Sequence, residues 1–258
     1  MKTIAITMGD PAGIGPEIIA GAWERLQTIP DCRVVVYGHP EIMRRAAVLR
    51  KLNTEIDCVT CCNDDALEVL PGTIDPRSGR AAYSAILQAI GDAQRNAVDA
   101  IVTAPIHKAA LHQAGYHYPG HTEIFAERCG VENYAMMLYL GAGEPAIVSP
   151  HGLAVVHVTL HTAMKTIFEQ ITPESVLAKI RLIDEFMRRI LSFSRCSGAP
   201  RIGVCSLNPH AGEEGLFGDE EMRIIRPAID RAIAEGLHVE GPQPADTIML
   251  DARDGKYD

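Results

Sequence analysis

The sequence predicts an α/β fold with a mostly parallel sheet, and three observations carry that expectation. Short apolar runs of strand length alternate with segments of helical period along most of the chain. Glycine and proline gather where helices begin, as in Gly9-Asp10-Pro11-Ala12-Gly13-Ile14-Gly15-Pro16-Glu17. A chain of 258 residues is also long enough to cover both faces of such a sheet.

The elements follow in order. Residues 3–8 alternate around Ile4 and Ile6 and read as a strand, and Ile18, Ile19, Ala22, Trp23 and Leu26 then recur at helical spacing behind Pro16. The same unit returns as a strand at 33–37 before a helix at 40–49, and as a strand at 100–103 before a short helix at 109–114. A long helix is expected from Ser78, a good N-cap residue, to Asn96. A helix at 122–129 closes on Gly130, where a subdomain boundary is placed, giving units 1–130 and 131–258. Strands are expected at 134–140 and 154–160. A helix from Thr172-Pro173 to Arg189 carries Ile180, Ile183, Phe186, Met187 and Ile190 on one face. A strand at 201–207 follows, then a helix at 220–235 that Pro227 should bend or split before Gly236 ends it.

Composition narrows the function. Lys and Arg number 24 against 33 Asp and Glu, and the net charge of −9 disfavours nucleic acid as a partner. Apolar runs are broken well short of a membrane span, and no signal-peptide layout precedes the first strand, so the chain reads as cytoplasmic. Seven cysteines at irregular spacing do not make a disulfide framework. The vicinal pair Cys61-Cys62 lacks the two-residue gap of a redox or zinc motif, so no cysteine is a site candidate.

The segment Leu207-Asn208-Pro209-His210-Ala211-Gly212-Glu213-Glu214-Gly215 puts a histidine in a tight turn at the carboxyl end of a strand, where open α/β sheets bind ligands. His210 is therefore a ligand candidate. The Gly-rich turn at Gly9 lacks the third glycine and the trailing acid of a dinucleotide fingerprint, and it has no Walker lysine. It either lends N–H groups to an anion or is a structural turn. Pro119-Gly120-His121-Thr122-Glu123 sets an imidazole and a hydroxyl at a helix start, suited to a phosphate or carboxylate unless Thr122 is a cap and His121 simply exposed. His157 and His161 lie four apart and share a face if their strand persists; either is packed or is a metal ligand, and a shared metal needs a third donor.

Five ordered segments, those at Gly9–Glu17, Thr103-Ala104-Pro105-Ile106-His107-Lys108, Gly120-His121-Thr122-Glu123, Asn208-Pro209-His210-Ala211-Gly212-Glu213 and Gly241-Pro242-Gln243-Pro244-Ala245-Asp246-Thr247, together resemble the 4-hydroxythreonine-4-phosphate dehydrogenase (PdxA) family of pyridoxine biosynthesis. The resemblance implies two α/β subdomains around a cleft, as in isocitrate and isopropylmalate dehydrogenases, and a homodimer whose active sites lie at the subunit interface. It implies oxidation of a secondary alcohol with NAD (or NADP), followed by loss of CO2 from the β-keto acid, with help from a divalent cation (Zn, Mg, Mn or Co). His121 and Thr122 resemble the substrate-binding pair, and His161 and His210 two of three histidine ligands for the cation. Asp246 suits proton handling or support of a metal ligand from behind, or equally caps a helix. No NAD-contacting residue is assigned.

Two departures qualify the match. The family's third metal histidine, and a lysine, an asparagine and an arginine that hold the substrate phosphate, lie beyond Asp258, so a chain cut short of its natural end is expected. Thr162-Ala163-Met164 lacks a proline common in biosynthetic members and, with Val155-Val156-His157-Val158, resembles the branch acting on four-carbon sugar-acid phosphates such as threonate 4-phosphate. Two other readings stay open: a dihydrodiol dicarboxylate dehydrogenase of aromatic catabolism, and a catalytically silent anion-binding homologue.

Overall fold

The structure, a computed structural model, describes residues 1–53, 55–193 and 198–258. Its chain divides into two compact units, Met1–Glu132 and Asn133–Asp258.

In the first unit β1 (Lys2–Thr7), α1 (Gly15–Leu26), β2 (Cys32–Gly38), α2 (Pro40–Leu49), β3 (Cys58–Thr60), α3 (Pro76–Gln94), β4 (Ala100–Thr103), α4 (Lys108–Gln113) and α5 (His121–Cys129) follow one another. The four strands form one parallel sheet in the order β3-β2-β1-β4. Strand alternation explains its three layers. Ile6, Met8, Val34 and Val36 face one way, onto Ile19 and Trp23 of α1 and Ile42 and Met43 of α2. Ala5, Val35 and Tyr37 face the other way, onto Ala85 and Ala89 of α3. The Tyr37 hydroxyl donates to Asp92 of α3 at 2.7 Å, so this tyrosine's polar end is satisfied as its ring is buried.

The long helix begins three residues before the position expected. Asp75, not Ser78, is the cap: its carboxylate accepts the Arg77 N–H at 2.7 Å, and Pro76 takes the first turn. Ser78 lies inside the helix, fully buried. The strand β3 was not expected, being three residues long with no alternation to reveal it.

The second unit holds β5 (Met137–Leu140), β6 (Leu153–Val156), α6 (Ile167–Gln170), α7 (Pro173–Phe193), β7 (Arg201–Cys205), α8 (Arg226–Ala234), β8 (His238–Gln243) and α9 (Ile248–Arg253). Strands β5 and β6 pair antiparallel, and β7 and β8 pair parallel. A core of Val176, Leu177 and Ile180 from α7, Ala228 and Ile229 from α8, and Ile202 and Val239 from the strands joins α7 and α8 to the β7/β8 pair. As expected, proline divides the helix at 220–235: a π-turn at Glu221–Ile225 gives way to α8, with Pro227 in its first turn. β8 was also missed, because Gly241-Pro242 reads as a turn. Asp258 doubles back beside β7, its N–H donating to Arg201 O at 3.0 Å and its carboxylate taking the Arg201 guanidinium and the Ser149 hydroxyl.

The expected strand at 154–160 stops at Val156. Its partner begins only at Met137, so past His157, whose N–H donates to Met136 O at 3.2 Å, no described ladder remains to hold it extended. None of the described helices is long and apolar enough to cross a membrane.

Candidate active site

In the first unit the chain runs outward from β1 to β2 and β3, then recrosses through α3 to place β4 on the other flank of β1. The gap between the carboxyl ends of β1 and β4 is therefore the switch point at which open parallel sheets take their ligands. Two turns meet there. Gly9 adopts φ +74°, and a Cβ on it would stand 2.4 Å from Pro105 O, so only glycine lets the β1 turn approach the β4 turn so closely. The Asp10 N–H donates to Pro105 O at 2.9 Å, and the buried Asp10 carboxylate accepts the Ala12 N–H at 2.8 Å. That locks the Gly-rich turn from within.

The start of α5 joins the same place through Ala104, whose backbone hydrogen-bonds His121. Burial pushes the His121 imidazole below its ordinary value, opposed in part by that bond. Its Nε2 is buried with no hydrogen-bond partner among the described residues. Gly120 is the N-cap and no side chain caps the helix, so Thr122 is not the cap and the first N–H groups of α5 remain open. A neutral imidazole nitrogen, a half-buried hydroxyl and a helix terminus thus converge, an arrangement that suits an oxyanion. Glu123 in the first turn also draws on the helix field and is the competing charge. Three of the five segments singled out in the sequence are brought together here. His107, in the second of them, is occupied: its Nδ1 accepts the Ala110 N–H at 3.4 Å and caps α4.

In the second unit the two candidate metal histidines leave different strands. His161 lies five residues past β6 at φ +49°, exposed. His210 lies five residues past β7 at φ +52°, also exposed. His157 does not share a strand face with His161, since the strand has ended; its imidazole rests 3.4 Å from Met136 O. The backbones leading to both exposed histidines nevertheless line one cavity of about 210 Å³, Val158 and Thr159 on one side, Ser206 and Leu207 on the other. Neither imidazole bonds another described residue, and imidazole nitrogens are donors that suit a borderline divalent cation. Among the described residues no three His, Cys, Asp or Glu side chains stand close enough to hold one, so the pair supplies part of a ligand set. Asp246 follows β8, the parallel neighbour of β7, and is exposed; α9 is capped at Thr247 without a side-chain bond, so the capping alternative for Asp246 is not realised.

Sequence reasoning missed two features. One is Asp10 as the internal lock of the Gly-rich turn. The other is Glu221, a buried carboxylate beneath the His210 loop. Each is an acid in a turn or helix start, where exposure is the default expectation. The cysteines behave as expected of inert thiols: every described one is free, and burial pushes Cys58 and Cys61 up to about 12.

Comparison with known proteins gives the chain's family. Residues 30–258 match the family described as pyridoxal phosphate biosynthetic protein PdxA. The chain is 42% identical to a 4-hydroxythreonine-4-phosphate dehydrogenase of Beijerinckia indica subsp. indica, over 99% of this chain and 75% of that one. It is 37% identical to a D-threonate 4-phosphate dehydrogenase of Pectobacterium atrosepticum, over 100% of this chain and 79% of the relative. The crystal structure of 4-hydroxythreonine-4-phosphate dehydrogenase from Klebsiella pneumoniae superposes with a TM-score of 0.85 at 36% identity, over 100% of this chain and 79% of that one.

Proposed function

The chain belongs to the PdxA family and is an oxidoreductase acting on a hydroxyl group, and from that premise we propose that it is a cytoplasmic, NAD-dependent oxidative decarboxylase of a phosphorylated four-carbon hydroxy acid. 4-Phosphohydroxy-L-threonine and threonate 4-phosphate are the two members of that class its relatives' names indicate. The observation that carries the reading is the convergence of the Gly9 turn, the Ala104 turn and the open start of α5 at the switch point, with His121 Nε2 buried and unpartnered among the described residues.

His121 and Thr122 bind the phosphate. The imidazole lies where an anion favours its charged form, and the Thr122 hydroxyl and the free N–H groups of α5 supply further donors. His161 and His210 hold a divalent cation, which when bound supplies Lewis acidity at the alcohol oxygen and at the ketone formed from it. NAD, when bound, would supply the hydride acceptor. Asp246, at the end of the strand beside the one that leads to His210, is the proton acceptor for the alcohol. The working form is a homodimer that completes each site. What supports this is β5, on which Leu138 and Leu140 are 58% and 49% exposed, an apolar strand suited to a twofold partner.

The test is NAD reduction with each of the two acids, with and without chelator. We expect turnover with at least one of them that chelation abolishes, and a loss of about 100-fold or more in His161→Ala and His210→Ala with the fold retained. Wild-type turnover in either variant would remove it from the ligand set. Equal turnover of substrates lacking the phosphate would dismiss the substrate class.

A further inference from the structure

The loop that carries His210 has an improbable backbone. Asn208 is extended, and after Pro209 five successive residues, His210, Ala211, Gly212, Glu213 and Glu214, all lie at positive φ, between 42° and 79°. Four of the five are not glycine, and L residues avoid this region one at a time, let alone in sequence. Something outside the loop must hold it.

That support is Glu221. Its side chain is buried with 3% of the residue exposed, at the head of the π-turn that precedes α8. One carboxylate oxygen accepts the N–H of Leu207 at 2.9 Å and of Asn208 at 2.6 Å; the other accepts the Asn208 side-chain amide at 2.9 Å. The same amide also donates to Glu220 at 2.8 Å. The loop then closes over the carboxylate: a Cβ at Gly212 would stand 3.0 Å from Glu221 Oε2 and 2.9 Å from Gly218 O. Below, Ile224 and Ile225 of the π-turn are buried in the core and fix where Glu221 begins. A single π-turn inserted before an α-helix is a feature found frequently at functional sites. Burial acts to raise the Glu221 carboxyl, yet the donors from Asn208 and Leu207 hold it below the usual range, so it stays ionised and accepts all three bonds.

We propose that Glu221 is the positioning residue of the His210 loop: its buried carboxylate gathers the amides just ahead of Pro209 and so sets the direction in which the His210 imidazole leaves β7. It touches neither substrate nor cofactor. The proposal rests on the reading of His210 as a cation ligand for its functional meaning, but not for its geometry.

The experiment therefore reads geometry first. In the metal-free protein the His210 imidazole resonances are identified among the ten histidines by their loss in His210→Gln. Glu221→Gln, which swaps one acceptor oxygen for a donor, should shift or broaden those resonances while the other nine stay in place. Glu221→Asp, which keeps the charge but withdraws it, should give an intermediate effect. Glu213→Gln removes the same charge from an exposed position of the loop and should change nothing. Titration with Mn2+ or Co2+ alone should show Glu221→Gln weaker by about 10- to 100-fold, as for other groups that orient a ligand. Unmoved His210 resonances in folded Glu221→Gln would overturn the proposal. If that variant does not fold, unmoved resonances in folded Glu221→Asp overturn it equally. Wild-type cation affinity in His210→Gln would instead end the ligand reading, and leave the resonance measurement to decide the role of Glu221.

Discussion

The phosphate-binding role proposed for His121 depends on the protonation of its ring. Burial holds the free imidazole below its ordinary value, so in the empty site it is neutral near pH 7. A phosphate against Nε2 favours the charged ring, and binding then takes up a proton. Affinity for sulfate, a tetrahedral oxyanion that stays a dianion throughout, followed by calorimetry in buffers of different ionisation heat, should fall as pH rises from about 5 to about 8. His121→Gln should flatten that slope, and His121→Ala should lose about 10- to 100-fold in affinity at low pH. A slope that survives in His121→Gln would assign the proton elsewhere. The folded protein binds this proton less readily than the unfolded chain does. The ring's contribution to stability is therefore fully present above the ordinary value near 6.5 and is lost as pH falls through and below it. Candidate residues of this kind were legible because histidine beside glycine or proline at an element's end is conspicuous. The supporting acids were not: nothing in Asp10 or Glu221 as a letter distinguishes a buried hydrogen-bond hub from a solvated carboxylate.

At the scale of elements, α3 and α4 pack closely enough that a Cβ on Gly79 would stand 2.2 Å from Ala110 O and 2.5 Å from its carbonyl carbon. On helix propensity alone Gly79→Ala would gain about 1 kcal/mol. Here the methyl must displace the backbone of α4, and the expected net result is a loss of about 1–3 kcal/mol, measured by urea unfolding. A gain would show that the two helices separate freely. Three of the four strands in the first unit's sheet were legible because strands covered on both faces are rich in apolar residues and their turns are rich in Gly and Pro; β3 was too short to show. The second unit was less so. β8 contains Gly241-Pro242 and advertises a turn, and β6 gives out where its partner does, a tertiary fact that no local pattern records. The left-handed run after Pro209 shows in sequence only as Gly212 and Gly215; Glu213 and Glu214 give no sign of it.

For the whole molecule, the proposed dimer is testable through β5. Replacing Leu138 and Leu140 together by lysine places two cations on the exposed apolar strand and should yield a monomer in sedimentation equilibrium with unchanged circular dichroism. Turnover should vanish with it if two chains complete each site. A wild-type chain that sediments as a monomer would end the dimer proposal. The strand order has a further effect on how the molecule is made. β1 is synthesised before the other three strands, yet it is one of the two interior strands, and its register with β4 pairs Ile4 with Ala100. A ribosome adding about 5–20 residues each second leaves that flank of β1 open for several seconds while its second neighbour is still being translated. Nascent chains of this protein must therefore keep a sticky, half-paired edge out of reach of one another, which makes translation speed between the codons for β1 and those for β4 a determinant of how much reaches the native state.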